Sequence, residues 1–557
     1  MSKPRIFLKR LVKKNKHVYR AARSAKRVIR PGSMPANQEI YDFQKYYPSP
    51  AELAEQQEGY KGFKLQPKIS VIVPTYNTNI RFLQECIESV ISQSYPNWEL
   101  CIADDASPKA GVVQTIKKYA ARDTRIKLAE RKQNGHISLA SNSAIEIADG
   151  EYVALLDHDD VLWPNALYEI VKVINDDPGA DFIYTDEDKI DEPGKIHSYP
   201  FFKPDWSPEF LESCNYITHF SCIRKRVVDQ VGGFRKGYEG AQDWDLFVRV
   251  SEATDKVRHI PKVLYSWRVH EASTAQDTDA KPYVYEAQKK LLQDHVARIG
   301  AKGTVHQGLI WQHSIIEYEV EGRPSATVVI YGAGADSRAA QLVKNSGYPS
   351  DRVRIKTLAK LTPQALGAIF DEDKTEYFVL LPADTVKISD KWLYKFIADS
   401  QREGIGIVGG RLISLDEKTL YSAGLGIGLG KYYLPLLNGD SIEDNHYMRA
   451  LHGKSRRNVL AVEAPLIVSR QVLENIDLER LEQAYFVTDL CLTAVSNGFR
   501  CVYSPYISAS FRADPLAGQK LQPKAAASFK KKWADYVAYD PFVNPNYVKT
   551  NGRLEVG

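Results

Sequence analysis

From Lys68 onward, two kinds of hydrophobic pattern alternate along the chain. Short runs rich in β-branched residues predict strands within ISVIVP (69–74), WELCIADDAS (98–107), IKLAER (126–131) and EYVALLD (151–157). Between them, apolar residues recur at helical spacing in IRFLQECIESVISQ (80–93), GVVQTIKKYAARD (111–123) and SLASNSAIEIA (138–148). Strands that alternate with helices predict an α/β domain with a mainly parallel sheet.

Polar side chains follow three of these strands at the point where each strand ends. They are Thr75-Tyr76-Asn77, Asp104-Asp105 and Asp157-His158-Asp159-Asp160. In open sheets of this kind, ligands bind beyond the carboxyl ends of the strands. Asp157 and Asp159 flank one residue and are suited to share a hard divalent cation, Mg²⁺ or Mn²⁺, with a diphosphate. A lone pair with this spacing is weak evidence, because many solvated loops contain one.

The patterns also divide the chain into segments. We predict a basic segment with an apolar face (1–31), a polar connector with a short helix near Pro50 (32–66), the α/β domain (67–300), a linker (301–325), a second α/β domain (326–511) and a basic tail (512–557).

Charge is concentrated in the first of these segments, which carries twelve Lys and Arg residues and no acid. Because the net charge of the whole chain is +5, the remainder is net acidic, which excludes a general nucleic-acid binder. Phe7, Leu11 and Val18 recur at helical spacing, which favours an amphipathic helix on an anionic membrane surface. A solvated basic tail and a nucleic-acid-binding arm are the alternatives.

Other features of composition exclude further classes of protein. No apolar stretch approaches the ~18–20 residues that a membrane-spanning helix needs, and no signal-peptide core follows the basic segment. The six cysteines form no CxxC pair. We therefore expect reduced thiols in a cytosolic compartment and no structural zinc.

Several longer motifs occur together, in one order. ISVIVPTYN, NGHISLASNSAIEIADGEYVALLDHDD, GGFRKGYEGAQDWDLFVRV (232–250) and IPKVLYSWRVHEAST (260–274) resemble family 2 glycosyltransferases of the GT-A fold. The resemblance covers roughly residues 67–300 and is greatest to the subgroup of bacterial polysaccharide and rhamnan-type O-antigen assembly. It implies a Rossmann-like mixed sheet that binds a nucleotide-diphospho-sugar.

The resemblance implies a role for each matching position. Nucleotide-sugar contacts fall on Thr75, Asn77, Asp105 and Asp157, with Asp105 on the base and Asp157 near the ribose. The metal on the donor diphosphate falls to Asp159 and His270, and the general base to Asp243. Many relatives have Glu at the position of Gln242, a difference that bears on acceptor contacts.

The implied reaction is inverting sugar transfer from a nucleotide-diphosphate sugar to a lipid-linked or polysaccharide acceptor. It would take place in the cytoplasm, at the inner face of a bacterial plasma membrane. UDP-hexose, UDP-N-acetylhexosamine, GDP-mannose and dTDP-rhamnose all fit such a pocket, and the subgroup favours a deoxyhexose such as rhamnose. A sugar nucleotidyltransferase and a non-catalytic glycan-binding scaffold are the alternatives. The first would carry a Gly-rich basic loop, which PTYNTN (74–79) lacks.

The second half aligns loosely with the first. EYFVLLPADTV (376–386) lies over EYVALLDHDDV (151–161), so Pro382 replaces Asp157 and only Asp384 keeps a carboxylate, at the position of Asp159. Val487 stands at the position of Asp243. We therefore expect a degenerate, non-catalytic GT-A-like domain that binds acceptor glycan or supports the first domain.

Some residues also have plain structural interpretations. We expect Asp245 to be a solvated acid at a helix start, TDEDKID (185–191) to be a loop, and Trp244 and Trp267 to be core residues. Helix capping by Asp104 or Asp105 and a structural role for His270 remain open as alternatives.

Overall fold

The structure is a computed structural model that describes residues 40–109, 111–270, 282–310, 313–334, 341–517, 522–549 and 551–556. The basic segment 1–31, with its predicted membrane helix, lies outside the described residues. Among the residues that are described, no helix is both long enough and apolar enough to cross a membrane.

The first half of the described chain alternates between strands and helices, as its sequence pattern predicts. Its strands are β1 (Ile69–Thr75), β2 (Trp98–Asp104), β3 (Ile126–Glu130), β4 (Tyr152–Leu155), β5 (Val161–Leu162), β6 (Phe182–Ile190), β7 (His197–Phe201), β8 (Ser221–Arg224) and β9 (Val257–Arg268). Its helices are α1 (Pro50–Gly59), α2 (Ile80–Ile91), α3 (Gly111–Ala120), α4 (His136–Glu146), α5 (Ala166–Asp176), α6 (Pro208–Leu211), α7 (Lys225–Gln230), α8 (Gln242–Ala253) and α9 (Pro282–Arg298).

These strands form one mixed sheet, ordered β3-β2-β1-β4-β8-β6-β9-β5, with β7 paired to β6. Strands β1 to β4 run parallel to one another, whereas β8 is antiparallel to both β4 and β6. Every residue of β2, and all of β1 except Pro74, is buried. Helices therefore cover both faces of this part of the sheet, which explains the continuous apolar runs in place of an alternating pattern.

A hairpin joins the two halves, and the second half contains a second sheet. Strands β10 (Gly303–Gln307) and β11 (Ser314–Tyr318) form the hairpin. The later strands are β12 (Ala326–Tyr331), β13 (Val353–Leu358), β14 (Tyr377–Pro382), β15 (Lys387–Ile388), β16 (Ile405–Ser414), β17 (Leu420–Ser422), β18 (Leu425–Ile427), β19 (Tyr433–Pro435), β20 (Arg457–Asn458), β21 (Leu466–Ser469) and β22 (Arg500–Phe511). The later helices are α10 (Pro363–Glu372), α11 (Trp392–Ser400), α12 (Tyr447–Lys454), α13 (Arg470–Glu474), α14 (Phe486–Ser496), α15 (Pro523–Lys532) and α16 (Ala534–Ala538).

The second sheet repeats the topology of the first. Its order β13-β12-β14-β21-β16-β22-β15 matches β2-β1-β4-β8-β6-β9-β5, with the same parallel and antiparallel pairs. The registers also fix which residues correspond. Leu155 pairs with Ile72 and Ser221, and Leu380 pairs with Val329 and Leu466 in the same way. The two halves are therefore topological copies, and positions in one can be compared with positions in the other.

The prediction that the acidic run at 185–191 forms a loop is wrong, because most of it lies in strand β6 and is buried. Asp186 accepts hydrogen bonds from the Lys203 backbone N–H and pairs with His259, both within 2.9 Å. Asp188 pairs with His197 and accepts from Ser266. Partners contributed by other strands stabilise these buried charges, and the local sequence does not reveal them.

The chain beyond residue 511 also departs from a simple basic tail, since it packs against the first domain. The Asn544 amide donates to both carboxylate oxygens of Asp186, and the Tyr539 hydroxyl donates to Asp205. Tyr547 donates to the Phe202 carbonyl. The end of the chain is thus part of the structure that holds β6 and β7.

Candidate active site

A cavity of about 730 Å³ opens where β1, β2 and β4 end. It lies at the junction of the neighbouring strands β1 and β4, where the order in which strands are added to the sheet reverses direction. This is the usual ligand position in such sheets. Four predicted site residues line it, namely Thr75, Asp105, Asp157 and Asp243. The structure thus brings together residues that are far apart in the sequence.

Asp105 lies at one end of the cavity, directly after β2. Its carboxylate forms an ion pair with Arg131 at 2.8 Å and accepts the Gly135 backbone N–H at 2.9 Å. Only 2% of the residue is exposed. These contacts fix the Asp105 carboxylate beside Asn134 and His136, which also line the cavity. A carboxylate has about four acceptor positions, so it retains capacity to accept from a ligand.

Thr75 and Asn77 follow β1, but their side chains point to different places. The Thr75 hydroxyl donates to the Ala103 carbonyl at 3.2 Å within the cavity wall. The Asn77 side chain is exposed and accepts the Lys109 backbone N–H at 3.2 Å. Asn77 does not line the cavity, and its observed contact ties two loops together.

Asp157 projects from the end of β4 into the cavity, and its carboxylate accepts no hydrogen bond from the described residues. Burial raises the pKa of this carboxyl group, while a charge on His219 acts in the opposite direction. Asp159 raises the pKa further by repulsion. An acid without a protein partner in such surroundings is suited to a cationic ligand.

Asp159 follows Asp157 by two residues and pairs with His270, the other residue to which the sequence resemblance assigns the metal. The His270 Nε2 atom is 2.7 Å from the Asp159 carboxylate, and His158 is 3.5 Å away. Burial opposes the charge on Asp159, but the hydrogen bond to His270 and the nearby His158 outweigh it and lower its pKa. This carboxylate is therefore ionised at neutral pH.

Asp160 is fully buried. It accepts hydrogen bonds from the Tyr265 hydroxyl and, at 2.7 Å, from the Arg268 backbone N–H. Possible ligand atoms of Asp157, Asp160 and His219 lie within 4.8 Å of one another. Carboxylate oxygens and an imidazole nitrogen are donors that Mn²⁺ or Mg²⁺ accepts, so the residues present fit a divalent cation.

Asp243 lies at the start of α8 and lines the same cavity as Asp157. Its carboxylate accepts a hydrogen bond from the Asn215 amide at 2.8 Å. Burial raises its pKa, while His219 and the bond from Asn215 counteract part of that effect. The next acid, Asp245, is buried against Arg235 and Arg249, so the expectation that it is solvated is wrong.

Two residues line the cavity that the sequence does not predict there, Trp267 and His219. Trp267 lines the cavity rather than belonging wholly to the core, whereas Trp244 is buried as expected. His219 also lines the cavity, together with Asp157 and Asp243, and the sequence predicts no role for it. Its sequence context, ITHFSC, mixes apolar and polar residues and carries no recognisable motif.

Comparison with known proteins identifies the family. The profile described as Glycosyl transferase family 2 matches residues 70–232. An uncharacterized glycosyltransferase of Rickettsia typhi is 30% identical over 262 residues, which are 44% of this chain and 78% of that protein. Together with the mixed sheet and the acidic cavity, these matches define a glycosyltransferase domain. The chain belongs to glycosyl transferase family 2, and its first domain has the GT-A fold, as the sequence resemblance predicted.

Longer relatives match almost the whole chain. The O-antigen biosynthesis protein RfbC of Myxococcus xanthus is 29% identical over 539 residues, 89% of this chain and 41% of RfbC. An uncharacterized protein of Sinorhizobium fredii, y4gI, is 36% identical over 529 residues, 86% of this chain and 57% of that protein. The chain therefore spans about half the length of these relatives.

Proposed function

We propose that this chain is an inverting glycosyltransferase that moves a sugar from a nucleotide-diphosphate sugar to a growing surface glycan. The acceptor is lipid-linked or polysaccharide, and the reaction takes place at the cytoplasmic face of a bacterial membrane. The observation that carries the proposal is that Asp105, Asp157 and Asp243 line the same cavity. The match to an O-antigen biosynthesis protein supports the glycan class.

The donor occupies the part of the cavity at the strand ends in this proposal. Asp105 and its neighbours contact the nucleoside, and the diphosphate lies toward Asp157 and Asp159. Asp157, Asp159 and His270 would hold Mg²⁺ or Mn²⁺. When bound, such a cation would neutralise the negative charge that develops on the departing nucleoside diphosphate. Without it, the unpartnered Asp157 carboxylate would repel the donor.

The acceptor approaches Asp243, which takes the proton of the attacking hydroxyl in this proposal. A general base works best when its pKa lies close to the working pH, and burial shifts the pKa of Asp243 in that direction. Asn215 orients the carboxylate through its hydrogen bond. Attack from the face opposite the diphosphate inverts the anomeric centre and needs no covalent intermediate.

The second domain does not share this chemistry in our proposal. Pro382 and Val487 occupy the positions of Asp157 and Asp243, so neither the diphosphate nor the base site is complete. Asp384 remains at the position of Asp159 and is exposed. We assign the domain a supporting or acceptor-binding role.

A donor screen tests the proposal. Purified protein is incubated with Mg²⁺ or Mn²⁺ and with UDP-glucose, UDP-N-acetylglucosamine, GDP-mannose or dTDP-rhamnose, and the released nucleoside diphosphate is measured. We expect one donor to be used, with release lost in Asp159→Ala. Asp384→Ala is the matched control and keeps activity.

Two results would contradict the proposal. Loss of release in Asp384→Ala, with Asp159→Ala unaffected, would place catalysis in the second domain. Absence of release together with absence of binding of every donor by calorimetry would favour a glycan-binding scaffold.

A further inference from the structure

His219 lines the cavity, yet no role follows for it from the sequence. A ring nitrogen lies within 4.8 Å of an Asp157 carboxylate oxygen, and the residue is close enough to Asp243 to influence the pKa of that carboxyl group. Neither ring nitrogen makes a hydrogen bond to any described residue. A polar ring that is held in a cavity wall without a protein partner is suited to contact a ligand.

The surroundings fix this ring in place. The imidazole stacks on Tyr265, with ring centroids 4.6 Å apart and planes at 15°, and its edge meets Trp267 at 6.0 Å. The His219 backbone N–H donates to the Glu187 carboxylate at 2.8 Å. Lys203, which is fully buried, donates to the His219 carbonyl. The position of the ring is thus determined before any ligand binds.

The same loop is connected to the base candidate. The Asn215 amide donates to Asp243, and its oxygen accepts the Thr218 backbone N–H at 3.3 Å. Thr218 in turn donates to Glu187 at 2.7 Å. One side chain, Asn215, therefore sets the spacing between Asp243 and the segment that carries His219.

The second copy of the fold provides an independent comparison. The paired registers place Ala464 at the position of His219, Leu412 at that of Glu187 and Ala509 at that of Tyr265. The ring, its carboxylate support and its stacking partner are thus all absent from the copy that also lacks Asp157 and Asp243. A group needed only for folding would not be expected to disappear together with the two reacting acids.

From these observations we propose that His219 contacts the transferred sugar of the donor, with a ring nitrogen hydrogen-bonded to a sugar hydroxyl. This inference rests on the proposed function. The sugar of a bound donor must lie between the diphosphate, near Asp157, and the base, Asp243. A cation shared with Asp157 and Asp160 is the alternative use of this ring, since possible ligand atoms of the three residues lie within 4.8 Å of one another.

Binding measurements separate a sugar contact from a diphosphate or metal contact. Calorimetry with Mg²⁺ or Mn²⁺ compares UDP, GDP and dTDP with UDP-N-acetylglucosamine, GDP-mannose and dTDP-rhamnose. In His219→Ala we expect affinity for the nucleoside diphosphate within about twofold of wild type. We expect affinity for the matching nucleotide sugar to fall about threefold to tenfold, the value of one hydrogen bond. His219→Gln, which keeps a donor and an acceptor, regains part of the loss.

His306→Ala is the matched control, because that histidine is exposed on β10 outside the cavity. Unchanged nucleoside diphosphate binding in His219→Ala also shows that the variant is folded. Equal loss of both ligands would overturn the inference and assign His219 to the diphosphate or its cation. Unchanged affinity for both would overturn it as well. If wild-type protein binds none of the six ligands, the proposed function fails and the inference fails with it.

Discussion

The contact between the end of the chain and strand β6 supports a prediction about stability. Asn544 is 3% exposed, and its amide donates to Asp186 at 2.9 and 3.1 Å and to the Lys203 carbonyl at 2.8 Å. Asp186 is fully buried. In Asn544→Ala, one carboxylate oxygen keeps only the Asn546 amide, at 3.4 Å. The other oxygen retains His259 and the Lys203 backbone N–H.

The magnitude follows from the loss of hydrogen bonds to a buried charge. Such bonds contribute about 1.5–3 kcal/mol each to the free energy of unfolding. Because the remaining partners keep Asp186 partly satisfied, we expect Asn544→Ala to lower the free energy of unfolding by about 3 kcal/mol. For a domain of this size, about 2–4 °C is lost per kcal/mol, which gives a drop in Tm of roughly 6–12 °C. The loss comes from the first domain although the substitution lies near the end of the chain.

Scanning calorimetry of the full chain measures the effect. Asn445→Ala is the matched control, because that side chain is exposed and its contact with Lys454 is on the surface. The control should change stability by less than about 0.5 kcal/mol. A Tm for Asn544→Ala within 1 °C of wild type would refute the view that the end of the chain stabilises β6.

Three further predictions concern the site and its surroundings. Asp243→Asn should lower the rate of sugar transfer about 10²–10⁴-fold while donor affinity stays within about threefold, and retention of a tenth of the rate would contradict the base assignment. Asp245→Asn should instead destabilise the protein by about 3–5 kcal/mol in urea denaturation, because it leaves buried arginines unpaired, whereas Asp243→Asn should leave stability nearly unchanged. Burial opposes the charge on His295, but Glu212 and Glu252 outweigh it and raise its pKa to about 9. The stability that the charged His295 contributes is complete below about pH 6.5 and is lost as pH rises through 9. The difference in free energy of unfolding between wild type and His295→Gln should therefore shrink by about 3 kcal/mol between pH 6 and pH 10. A difference that is independent of pH would show that His295 is uncharged.

The elements of the first domain were predictable because each leaves a local pattern. Strands β1 and β2 are buried on both faces and read as continuous apolar runs. Helix α2 has apolar residues on one face, and Asn79 caps its start by accepting the Arg81 backbone N–H. The acids that follow these strands are equally visible, because a run of carboxylates after an apolar segment is unusual.

The residues that sequence reasoning misjudged are those whose partners lie far along the chain. The sequence predicts a solvated acid at Asp245, but Arg235 comes from the preceding loop and completes its burial. Asp186 is stabilised by Asn544, 358 positions later. His219 depends on Glu187 and Tyr265, which reach it only because β6 and β9 are neighbours in the sheet. Local patterns do not contain this information.

Comparison of the two copies separates acids that support the fold from acids that support chemistry. Asp245 has a counterpart in Asp489, which is also fully buried and accepts hydrogen bonds from Lys532 at 2.7 Å and Trp533 at 2.8 Å. Different partners thus satisfy the same buried carboxylate at the start of α8 and of α14. Its neighbour Asp243, two residues earlier, has become Val487. A position that keeps its acid while all of its partners change is required by the fold, whereas a position that loses its acid without harm to the same helix was never required by it. The loss at Val487 therefore supports the proposal that Asp243 serves the transfer reaction rather than the fold.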